Sequence, residues 1–180
     1  MSGVAPIPGD QATVTVLVKV PPARAFQVFT EEIDAWWRTG LKFRASGRSP
    51  GILCLEPKVG GRLFETVQSG GGARVLETGR VTAWEPPSRL VFEWRATNFA
   101  PVEKTEVEVR FEPSPSGTQV TVVHRGWAAI RPDHPVRHGQ EVPAFLRKMG
   151  LWWADLLTSL REHAARCRSL SGSKPGRWST

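Results

Sequence analysis

Residues 105–111 read TEVEVRF, with Thr105, Val107, Val109 and Phe111 on one parity and Glu106, Glu108 and Arg110 on the other. Side chains along a strand point to alternate faces, so this stretch has one dry face and one wet face. That is the pattern of an antiparallel sheet whose back meets solvent. The neighbours repeat it. Upstream, Leu90, Phe92 and Trp94 alternate with Val91, Glu93 and Arg95. Downstream, after a turn at 113–117, Val120, Val122 and His124 alternate with Thr121, Val123 and Arg125. Period two starts at Ile52 and continues through residues 52–56, 62–68 and 74–84, punctuated by SGGGA (69–73) and EPPS (85–88) as turns.

The two ends of the chain change the period. Residues 13–20, TVTVLVKV, are rich in β-branched side chains and predict a first strand. Pro21-Pro22 ends it and opens a helix, since proline suits the first helical turn. In PARAFQVFTEEIDAWW (22–37), Phe26, Phe29, Ile33 and Trp36/Trp37 fall at helical spacing, giving one helix or two short ones broken near Thr30. After a proline-rich link at 130–142, the residues Phe145, Leu146, Met149, Trp152, Trp153, Leu156, Leu157 and Leu160 form one apolar stripe, a helix over 143–164. Helices gathered on one side of an antiparallel sheet make an α+β layer fold. A sheet of about seven strands that curves must wrap something, and only the last helix is long enough to lie across its concave face. The expected fold is therefore a helix grip, which leaves a cavity between sheet and helix.

A chain of 180 residues suits one such domain, expected over 12–166, with a disordered N-terminus (1–11) and a disordered basic tail (167–180). Of the net charge of +7, residues 161–180 supply +4, from five cations and one anion. The body carries no basic stripe interleaved with aromatics, so nucleic acid is not an expected partner. No apolar run reaches the roughly 18 residues that span a bilayer, and MSGVAPIPGDQ lacks the basic and apolar blocks of a signal peptide. Membrane insertion is not expected. Cys54 and Cys167 fit neither a disulfide framework nor a zinc site, which points to a reduced, cytoplasmic setting. Residues 55–65, LEPKVGGRLFE, hold adjacent glycines but lead into a strand rather than the Gly-Lys-Ser/Thr and helix of a phosphate loop. Gly60-Gly61 reads as a turn at the rim of the sheet.

Four stretches together resemble a known family. EPKVGGRLFE (56–65), TGRVTAWEPPSRLVFEW (78–94), VTVVHRGW (120–127) and the Trp-rich last helix resemble the activator of heat-shock protein 90 ATPase homologue family, within the START-like, birch-pollen-allergen-like superfamily. The resemblance covers roughly residues 13–165. It implies the helix-grip fold and no single activity, since the wider superfamily includes polyketide cyclases, aromatases, lipid carriers and co-chaperone domains. The residues show no counterpart of the separate N-terminal domain of the eukaryotic co-chaperone.

Trp36, Trp37, Phe43, Phe92, Trp94, Trp127, Trp152 and Trp153 exceed what a minimal core needs. They either fill the space between sheet and helix or line a pocket, as expected of mostly apolar ligand sites. The candidate ligand set is Trp36, Trp37, Phe43, Phe92, Trp94, His124, Trp127, Leu146, Met149 and Trp153. His124 shares the parity of Val120 and Val122 and should face the concave side, as a core histidine bonded to a backbone carbonyl or, if it meets a cavity, as a near-neutral imidazole that could move protons. Glu65 and Glu77 are the carboxylates that would work with it, if their strand faces are concave. The preferred reading of Glu65, Glu77 and Arg95 is as surface or rim charges, with Arg95 inward only through a bulge. His134 and His138 are four apart with Pro135 between them and no carboxylates alongside, so no metal site is expected; no cofactor is implied either. Three functions follow in order of preference: a binder of a small lipophilic or aromatic molecule, a cyclase or aromatase, and a partner of a heat-shock chaperone. Monomer and homodimer are both compatible with the pattern.

Overall fold

The computed structural model describes residues 9–170. Its sheet consists of β1 (Gln11–Val18), β2 (Gly51–Leu55), β3 (Arg62–Ser69), β4 (Gly72–Glu85), β5 (Arg89–Trp94), β6 (Thr105–Ser114) and β7 (Gly117–Arg125). All neighbours are antiparallel, in the order β1-β7-β6-β5-β4-β3-β2. Helices α1 (Pro22–Glu31) and α2 (Ile33–Trp36) join β1 to β2 across the whole width of the sheet, and α3 (Val142–Leu170) closes the chain. Short 3-10 turns lie at Trp127–Ala129 and Pro135–Arg137. Chain order makes β2 to β7 a meander, and the long jump from β1 to β2 is what leaves β1 beside β7. The helix-grip reading holds. β1 begins at Gln11, opposite Arg125, because the ladder with β7 extends that far. The break between the first helices falls at Glu32 rather than Thr30. Of the expected disordered tails, 1–11 and 167–180, residues 1–8 and 171–180 lie outside the described residues, while Gln11 already belongs to β1 and residues 167–170 continue α3.

The strand parities sort the two faces of the sheet. On the concave side, Leu90, Phe92, Val107, Val109, Phe111, Val120 and Val122 meet the buried stripe of α3: Phe145, Met149, Trp153, Leu156, Leu157, Leu160 and Ala164. On the convex side Glu108 is held by Arg89 (3.0 Å), Arg125 (2.6 Å) and Arg110 (3.4 Å). Burial by itself would raise the Glu108 carboxyl, but hydrogen bonds from Arg89 and Arg125 outweigh it and hold it below its ordinary range. Val91 and Val123 are buried on this outer face, beside the residues of the guanidinium lattice.

Gly60 and Gly61 serve two different needs. Gly60 sits at φ +78°, where only glycine is comfortable, while a Cβ on Gly61 would lie 2.4 Å from the Glu56 carbonyl. The turned backbone then bonds to β4, Gly60 N–H to Val81 O and Val81 N–H to Gly61 O, each at 2.8 Å. The glycines shape the rim of the sheet, as their position before a strand suggests.

A β-bulge corrects one parity expectation. Leu63 pairs with Gly79 but Phe64 pairs with Glu77, so Thr78 is the extra residue of β4. Both Thr78 and Gly79 are buried, whereas Val75 and Glu77 are exposed. Glu77 therefore faces solvent and bonds Arg80 (2.8 Å), well away from His124.

Candidate functional site

Between the β2–β5 end of the sheet and the first turns of α3 the concave face is not filled. A cleft of about 690 Å³ opens there, bounded by residues 37–45, the segment 95–98 after β5, residues 135–138, and Phe145, Lys148, Met149 and Trp152 of α3. Trp37, Phe43, Trp94, Trp127, Phe145 and Trp152 supply its aromatic wall, with Leu53, Leu63, Glu65 and Thr78 as its floor on the sheet. A wider open depression of about 1170 Å³ lies near the start of α1 and the β6–β7 turn. Prolines, turn residues and exposed polar side chains wall it, with no aromatic ring among them.

The wall at 37–46 has no regular secondary structure, so its shape depends on side-chain bonds. Arg44 is buried and gives hydrogen bonds to Asp34 Oδ1 (2.8 Å), Trp37 O (2.8 Å) and Arg38 O (3.1 Å). Trp37 Nε1–H donates to Phe43 O at 3.0 Å, closing the segment on itself. Toward α3, Trp152 Nε1–H donates to Lys42 O (2.8 Å), and Lys42 Nζ meets Asp155 (2.7 Å). Toward the sheet, Glu65 accepts the N–H groups of Ala45 (2.6 Å) and Ser46 (3.1 Å). Glu65 is only 2% exposed, and its two oxygens hold the wall against β3. It is a buried anchor rather than a rim charge.

His124 does point to the concave side and is fully buried, but it is not part of the cleft lining. Trp153 Nε1–H donates to His124 Nδ1 at 3.1 Å, which makes Nδ1 the bare nitrogen. Nε2–H then donates to Thr105 Oγ1 (2.8 Å), and the Thr105 hydroxyl donates to Trp94 O (3.1 Å). Burial pushes the His124 pKa down to about 3, so the ring stays neutral. Both nitrogens are occupied. The chain Trp153–His124–Thr105–Trp94 satisfies buried polar groups and links α3, β7, β6 and β5.

Of the expected ligand set, the structure brings Trp37, Phe43, Trp94, Trp127 and Met149 together around the cleft. Trp36, Phe92, Leu146 and Trp153 are buried, and like His124 they are not among the lining residues. Trp36 Nε1–H bonds Val28 O (3.1 Å) and its ring sits 4.9 Å from Phe29, so it is committed to the other half of the interior. Trp152, Phe145, Leu53, Arg44, Arg95 and Lys148 are lining residues that the sequence reading did not select. Arg95 reaches the wall without a bulge, because β5 stops at Trp94 and the chain turns away. The position of Lys148, one residue before Met149 on the apolar stripe, was the available clue. His134 Nε2 bonds Asn98 O (3.1 Å) and its Nδ1 accepts from Val136 N (3.1 Å), which holds 95–98 against 135–138. Cys54 is half-buried on β2; burial, and then Asp34, push its thiol up, away from thiolate chemistry.

Residues 19–161 match the family described as Activator of Hsp90 ATPase homolog 1-like protein. The chain belongs to that family. Solved structures similar to this Activator of Hsp90 ATPase homolog 1-like chain include a Mesorhizobium loti protein: 19% identity, TM-score 0.58, over 87% of this chain and 97% of the other. An AHSA1-like protein from Aeromonas hydrophila gives 16% identity and TM-score 0.58 over 93% and 99%. DynU16, a protein in the dynemicin biosynthetic locus, gives 21% identity and TM-score 0.56 over 94% of this chain and 50% of its own. At these identities the likeness speaks for the fold alone. No curated protein matches the sequence. Among the described residues, no helix is long and apolar enough to cross a membrane.

Proposed function

We propose that this protein binds a small lipophilic or aromatic molecule in the cleft between the sheet and the start of α3. One observation carries the reading: a concavity of about 690 Å³ with six tryptophan and phenylalanine residues in its wall. That volume falls within the roughly 300–1,000 Å³ typical of small-molecule sites, which are mostly apolar with a few placed polar groups. The wall is held by hydrogen bonds donated by Arg44 and Trp152 and accepted by Glu65, so the concavity exists before any ligand arrives. A preformed site loses less to ordering on binding.

Binding without turnover is favoured over the cyclase reading. A general base needs a free lone pair within reach of substrate. His124 has both nitrogens engaged and lies behind the lining, while Glu65 spends both oxygens on backbone amides. The test is a titration with N-phenyl-1-naphthylamine, whose emission rises in apolar surroundings. Saturable one-to-one enhancement is expected, and Met149→Trp, which fills the cleft, should suppress it. A flat titration of the native chain sinks the proposal.

A further inference from the structure

We infer that the ligand carries an acidic group, held at the mouth of the cleft by Arg95 and Lys148 while its apolar body lies among the indoles. This rests on the binding reading above and names the class of molecule that the site would select. Five side chains of lasting charge line the cleft: Lys42, Arg44, Glu65, Arg95 and Lys148. Lys42 is neutralised by Asp155 at 2.7 Å and Arg44 by Asp34 at 2.8 Å. Glu65, the one anion, is buried, with a backbone N–H on each oxygen. An ammonium ligand therefore finds no uncommitted carboxylate in the lining, although the aromatic wall by itself would suit a cation.

The two remaining charges are both positive. Arg95 is half-buried and the one hydrogen bond of its guanidinium among the described residues goes to a carbonyl, Ala100 O, at 2.8 Å. Lys148 is exposed and its ammonium has no ion pair or hydrogen bond among them. Trp127 is among the lining residues, but its ring is wholly buried and its unpartnered Nε1 presents no exposed donor to the cleft. The other unpartnered buried polar atom, Gln140 Oε1, is not in the lining. Two cations without counter-ions, one of them half-buried, call for an anion. A carboxylate or similar oxyanion on a flat or aliphatic hydrophobe meets that demand, because hydrogen bonds between ionised partners are the strong ones.

The experiment compares three probes with one ring system: 2-naphthoic acid, its methyl ester and 2-naphthylmethylamine, each displacing N-phenyl-1-naphthylamine from the full chain at pH 7.5. The acid should bind at least about ten-fold more tightly than the ester, and the amine most weakly. In Arg95→Met/Lys148→Met the acid's advantage over the ester should vanish. Equal affinities for acid and ester, tighter binding of the amine, or an acid preference that survives the double substitution each overturns the inference and leaves cleft binding standing. Failure of all three probes together with a flat naphthylamine titration would remove the cleft reading and this one with it.

Discussion

The interior of this protein has two halves made of the same residue types and packed to different ends. In one, Trp84, Phe26, Phe111, Phe29 and Trp36 run ring to ring at 4.9–5.7 Å. All but Trp84 are buried, and the interior there is solid. In the other, Trp37, Trp152, Trp94 and Trp127 keep similar spacings, 5.7–6.4 Å, yet stand around open space. Aromatic content therefore does not distinguish a core from a cleft. What differs is the backbone opposite: α1 and α2 cover the first half, while an irregular segment pinned by Arg44, Glu65 and Trp152 borders the second. A helix brings a regular row of side chains that interdigitate. A pinned loop holds its main chain at a distance and leaves a gap.

Cutting equal rings from the two halves is the harshest test of this contrast. Trp36→Ala should cost about 3–5 kcal/mol, the usual figure for a large aromatic in a core, and lower the urea midpoint accordingly. Trp94→Ala should cost well under half of that, since the ring already borders open space, yet abolish naphthylamine binding. Equal losses of stability would erase the distinction.

Acid titration probes the boundary between the halves, where His124 sits. Its folded pKa, about 3, is below the ordinary 6.5, so the unfolded chain takes up a proton that the folded chain refuses. The stability it contributes is complete above pH 6.5 and is lost as pH falls toward 3, at a rate approaching about 1.4 kcal/mol per pH unit. His124→Gln should flatten that part of the urea-midpoint profile between pH 6.5 and 4. An unchanged slope would mean the ring is accessible to protons in the fold.

The smallest effects separate two carboxylates that are alike in sequence. Glu65→Gln places an amide N–H against one of two backbone donors, so a loss of about 1–3 kcal/mol and weaker probe binding are expected. Glu77→Ala removes an exposed pair with Arg80 and should change stability by no more than about 0.5 kcal/mol, with no effect on the probe. Similar behaviour of the two would undo the account of how the wall is held.

The helix grip was legible because its signals are periodic. Alternation in β6 and β7 and the stripe of α3 each state which face is buried, and the pairing of Val107 with His124 follows that phase. The site was only half legible, for reasons that lie in particular residues. Glu65 and Glu77 look equivalent until the single extra residue Thr78 turns one of them outward. The partners of Glu65 are amides 19 and 20 positions earlier, in a stretch with no period to read. Trp36 and Trp37 are adjacent, yet one joins the solid half and the other the open half, because α2 ends between them.

The rings of the two halves also touch each other, through Trp36–Trp37 at 5.4 Å, and Trp37–Trp152 at 5.7 Å carries the row on into the open half. With no tyrosine in the chain, the near-ultraviolet spectrum belongs almost wholly to these coupled indoles. Light absorbed by any of them can migrate along the row before it is emitted. The molecule thus contains its own optical antenna, and a quencher seated beside Trp94 should dim indoles far from it.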